Sequence, residues 1–176
     1  MPTVPYWHVD AFADRPFTGN QAAVMILDAW PEDSVLAAIG AENMFAETAF
    51  LVRDAGGEAD WELRWFTPTS EIRLCGHATL ASGHVLLGLE PERREVAFRT
   101  RQAGTLFVRR VETGYEVGLP LIATEPGRYP EAVALFGAEP LETWHSPDRY
   151  HILVYPDAAA IRALDPDLRA LARLGD

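Results

Sequence analysis

The chain has 176 residues, 48% of them hydrophobic and 23% charged, enough to bury one large core or two small ones. Fifteen basic residues against twenty-six acidic ones give a formal charge of −11, a field that repels phosphate backbones and anionic lipid, so nucleic-acid and membrane partners are disfavoured. Every basic residue is Arg, which removes Schiff-base chemistry on lysine.

Residues 4–12, VPYWHVDAF, are aromatic and β-branched and predict a strand. The turn signal DRPFTGN (14–20) follows, then AAVMIL (22–27) predicts a buried strand. Pro31 opens a helical stretch to Met44, with early acids suited to a helix start and the apolar positions Val35, Leu36 and Ile39 on one face. ETAFLV (47–52) predicts a short strand, Gly56-Gly57 a turn, and ELRWF (62–66) a half-buried strand. Residues 77–88, HATLASGHVLLG, are too evenly apolar for an exposed helix and predict one buried on most sides.

Beyond Pro91 the pattern returns to strands, 95–104 and 105–120, with a hairpin around Glu112-Thr113-Gly114. Pro120 and TEPGRYP (124–130) form the best boundary or linker, dividing a first domain, 1–120, from a second, incomplete one, 121–176. That second part predicts a short helix (130–137), a strand (149–156) and a helical tail. Many strands with few helices, lacking strict βαβ alternation, argue an α+β fold. The single cysteine, Cys75, cannot form an intramolecular disulfide, and the opening MPTVPYWHVDAF lacks a basic segment followed by an apolar one. With no run of about 18 apolar residues, a cytoplasmic location is expected.

Glu47 has apolar neighbours on both sides and no cation within four residues, the setting in which a carboxyl serves as general acid/base. The alternative is an outward-pointing carboxylate paired with an Arg. Gly76 opens the buried helix, whose first N–H groups are unpaired and carry the positive end of its dipole, a site for a substrate carboxylate. His77, in the first turn, could shuttle a proton; the plain alternative is a strand-to-helix turn with His77 as cap. Asn20 offers an amide that donates and accepts, or simply builds a turn. Cys75 is either a thiol acid/base or a small packed side chain. His77 and His84 are two helical turns apart, and no Cys, His or acid spacing suggests a metal, so none is expected. Nor is there a Gly-rich phosphate motif.

Four blocks in this order, VDAFADRPFTGNQAAV (9–24), AETAF (46–50), RWFTPTSEIRLCGHATLASGHVL (64–86) and GLP (118–120), resemble the PhzF-like family of phenazine biosynthesis. The resemblance implies a diaminopimelate epimerase-like fold of two similar domains, each a curved mixed sheet wrapped around a central helix, with 77–88 as the first such helix. It implies a cofactor-independent isomerase and a homodimer. Glu47 would move a proton on a small carboxylate-bearing metabolite held at Gly76 and His77, with Asn20 matching the asparagine of the GN turn. Family members continue into a DPVTGSAH-like block that nothing in 121–176 matches, so a truncated binding or dimerisation module is an alternative. Cys75, standing where related epimerases carry a catalytic thiol, leaves a thiol-assisted epimerase as another.

Overall fold

The computed structural model describes residues 3–146 and 150–174, and the chain divides into two compact units, Met1–Pro120 and Leu121–Asp176. In the first unit, eight strands among the described residues form one sheet: β1 (Tyr6–Ala11), β2 (Asn20–Leu27), β3 (Glu47–Arg53), β4 (Trp61–Phe66), β5 (Glu71–Ile72), β6 (Glu95–Thr100), β7 (Thr105–Val111) and β8 (Gly114–Gly118). Their order is β1-β2-β3-β4-β6-β7-β8, with β5 beside β4. β2 and β3 run parallel, as do β4 and β6, and the other pairs are antiparallel, so the sheet is mixed.

Helix α2 (Gly76–Leu89) touches β1, β2, β3, β6, β7 and β8, which requires the sheet to curl around it. Its composition permits this. Ala78, Ala81, Ser82 and Gly83 keep its surface shallow, and a Cβ on Gly83 would stand 2.4 Å from Val108 on β7. The buried hydroxyls of Thr79 and Ser82 donate to the carbonyls of Cys75 and Ala78 one turn back, so neither hydroxyl is left unpaired. Around the helix lie Val24, Leu51, Leu63, Trp65, Phe98 and Val108, each fully buried and worth about 2 kcal/mol of hydrophobic transfer.

β3 explains why ETAFLV does not alternate: both its faces are covered. Ala49 and Leu51 pack with α2, while Phe50 faces the opposite way onto Leu36 of α1 (Asp33–Asn43) and Phe66. Of the apolar face of α1, Val35 is 45% exposed; Leu36 and Gly40 are the buried positions. α1 ends at Met44 in the left-handed conformation (φ 54°), its N–H bonded to the Gly40 carbonyl, which turns the chain into β3.

The second unit contains β9 (Glu125–Pro126), α3 (Pro130–Phe136), β10 (Glu142–His145), β11 (His151–Val154), α4 (Ala158–Arg162) and α5 (Leu168–Leu174). The stretch 124–130, expected as a linker, thus supplies β9, which pairs with β10, and β10 pairs with β11. Arg149, expected in the last strand, lies outside the described residues, and the expected tail is broken at Asp165-Pro166 into two helices. Only Ala132, Val133 and Ser146 are buried among its described residues. An apolar hollow of about 480 Å³ opens between Tyr129, Phe136, Leu153, Tyr155 and Leu171. No helix among the described residues is long and apolar enough to cross a membrane.

Candidate active site

The carboxylate of Glu47 comes from the first residue of β3. It shares strand parity with Ala49 and Leu51, so the pleat turns it toward α2 and not outward to an Arg. The chain reaches α2 through Cys75, whose extended backbone (φ −141°, ψ 114°) precedes the first helical residue, Gly76. Cys75 caps the helix by position, but its side chain makes no capping hydrogen bond, and His77 is not the cap. His77 projects from the first turn to meet Glu47: Nε2 lies 3.1 Å from Oε2, with only 11% and 16% of the two side chains exposed.

The other face of the imidazole meets the thiol, His77 Nδ1 standing 3.4 Å from Cys75 Sγ. One ligand atom from each of Glu47, Cys75 and His77 falls within 4.8 Å of the other two. Burial pushes the Cys75 thiol up to about 12; the amides of Ala78 and His77 oppose this, and the neighbouring Glu47 charge adds to it. The group is therefore a thiol at neutral pH, a poor nucleophile and a weak base.

Gly76 is half-buried, and a Cβ there would meet only the flexible end of Leu119, at 3.3 Å. Packing alone does not demand glycine at that position. Asn20 starts β2 opposite Ala11, and two residues later Ala22 pairs with Glu47. Asn20 therefore stands at the same end of the sheet as Glu47, one strand over and exposed. The structure thus gathers Glu47, Cys75, Gly76 and His77 tightly, with Asn20 on the rim. That Glu47 touches both Cys75 and His77 was not legible in the sequence, because residues 28 and 30 positions apart obey no spacing rule.

A mixed sheet curled round a buried helix, with an acid and an imidazole meeting where that helix starts, is the α+β architecture of the epimerase type. A profile of the phenazine biosynthesis-like proteins, PhzC-PhzF, matches residues 9–174, and the chain belongs to that family. Two uncharacterized isomerases of Pseudomonas aeruginosa are 41% and 44% identical to it; each alignment takes in 96% of this chain but only 64% and 63% of the relative. The crystal structure of a PhzF-family phenazine biosynthesis protein from Enterococcus faecalis superposes with a TM-score of 0.76 at 35% identity, over 96% of this chain and 63% of that one. The chain spans under two thirds of the length of these relatives.

Proposed function

We propose that this chain carries the proton-transfer half of a cytoplasmic, cofactor-independent isomerase acting on a small carboxylate-bearing metabolite. The substrate carboxylate docks on the backbone at Gly76 and His77, where the helix start offers N–H groups and a positive dipole end. Glu47 removes a proton from carbon next to an unsaturated or carbonyl-bearing group and returns it elsewhere on the same molecule. His77 hydrogen-bonds substrate or carboxylate as the proton moves, and Asn20 contacts the substrate from the rim. The observation that carries this reading is the half-buried Glu47 carboxylate 3.1 Å from His77 Nε2 in the first turn of α2.

Residues 121–176 belong, in this proposal, to a second domain, a reading supported by the division of the chain into the compact units Met1–Pro120 and Leu121–Asp176. The alternative reading is a binding or dimerisation module that holds a small acid without turning it over. The thiol-assisted epimerase loses support from a thiol pushed up to about 12.

Unsaturated and 2-oxo carboxylic acids screened in heavy water should include one that takes up deuterium at carbon in the presence of the chain. Glu47→Gln should abolish that uptake and leave equilibrium binding of the same acid within about threefold. Undiminished exchange by Glu47→Gln would overturn the assignment, and binding with no exchange by the parent chain would favour the binding module.

A further inference from the structure

The pair at the heart of the site has an unusual geometry. Glu47 Oε2 and His77 Nε2 are 3.1 Å apart, yet neither atom has a hydrogen-bond partner among the described residues, and both are shielded from solvent. Buried polar atoms so placed are costly unless a further group satisfies both. Cys75 Sγ adds a third ligand type to the same small volume, all three ligand atoms lying within 4.8 Å of one another.

From these distances we infer that Glu47, Cys75 and His77 form a binding site for a thiophilic divalent cation of the zinc type, through which such an ion blocks the isomerase site. The inference rests on the reading of Glu47 as the proton-transfer group. The donor set is one carboxylate oxygen, one imidazole nitrogen and one sulfur, the set that a borderline-soft ion prefers over calcium or magnesium. Tetrahedral coordination at about 2.0–2.3 Å puts ligand atoms about 3.3–3.7 Å apart, so side-chain shifts of about 1 Å close the present arrangement around an ion. Three protein ligands leave a fourth position for water or a substrate carboxylate. Coordination displaces the thiol proton to solvent, and the bound thiolate partly neutralises the ion. An ion there ties up the Glu47 carboxylate, so metal occupancy and proton transfer exclude each other.

The test is a titration of the metal-free 176-residue chain with Cd²⁺ alone, followed by isothermal calorimetry and by the thiolate-to-cadmium absorption band in the ultraviolet. One equivalent should bind and the band should rise in proportion. Cys75→Ser should abolish the band, and His77→Gln and Glu47→Gln should each weaken binding by about tenfold or more. His84→Gln, exposed two turns along the same helix, should leave the titration unchanged. If Cys75→Ser does not fold by circular dichroism, the His77→Gln titration decides. Binding that survives His77→Gln undiminished, a loss of binding in His84→Gln, or the absence of the band in the parent chain would each overturn the site. The titration contains no substrate, so an active Glu47→Gln chain would sink the isomerase reading and leave this result standing.

Discussion

Cys75 is one residue whose chemistry reverses between its local and its tertiary setting. A thiol at a helix start is ordinarily activated, because the dipole and the first amides stabilise the thiolate. Here Cys75 is 6% exposed, so burial dominates, and with Glu47 beside it the thiol rises from 9.0 to about 12. A thiol held at about 12 has only a trace of thiolate at neutral pH. Iodoacetamide should therefore label the native chain at neutral pH at least about a hundredfold more slowly than the unfolded chain, as followed by intact mass. Rapid native labelling, blocked by a small carboxylic acid, would instead restore the thiol-assisted epimerase.

At the scale of elements, the turn between β3 and β4 is built on one carboxylate. Asp54 accepts N–H bonds from Gly56 (3.1 Å), Glu58 (3.1 Å) and Ala59 (2.9 Å), and Arg99 of β6 adds a charged bond at 2.9 Å. The Arg99 guanidinium, working against burial and helped by the Ala59 and Gly56 amides, lowers Asp54 from 3.8 to about 2. Between those values the unfolded chain binds the proton and the folded chain resists it. Asp54 thus adds stability that is complete above about pH 4 and is lost as the pH falls toward 2. In urea unfolding followed from pH 5 down to about pH 2, Asp54→Asn should flatten the acid limb of the curve. Some slope will remain. Burial opposes ionisation of Asp60, but the Ala97 amide and Arg93 outweigh it and hold its carboxyl below the usual range; Arg64 does the same for Asp33. An unchanged slope in Asp54→Asn would show that the turn carries no such linkage.

At the scale of the whole molecule, the strand order leaves β1 and β8 as the ends of the first sheet. Unpaired ladder groups along such ends, together with exposed Leu141, Ile161 and Leu168 in the second unit, suit association with another chain. Sedimentation equilibrium should return twice the 19.5 kDa chain mass for the proposed homodimer. A monomer mass at micromolar concentration would remove that proposal and leave the site unaffected.

Much of the fold was legible along the chain, because it depends on local chemistry. The even apolarity of 77–88 predicted the buried helix, β-branched and aromatic runs predicted the longer strands, and the four motif blocks carried the family. Two-residue strands such as β5 and β9 have no period to detect and exist only because a neighbour supplies their hydrogen bonds. Apolar spacing groups Val35 with Leu36 on one face of α1, but the sheet below decides which of them is covered, and it covers Leu36. The amino-acid order alone determined which residues could do acid–base chemistry and that a helix would begin at Gly76. Only tertiary structure decided that Glu47 meets His77 and Cys75, because that contact comes from the register of β3 in a curled sheet and the seating of α2 within it. Both are set by burial between segments far apart in the chain, which no local pattern encodes.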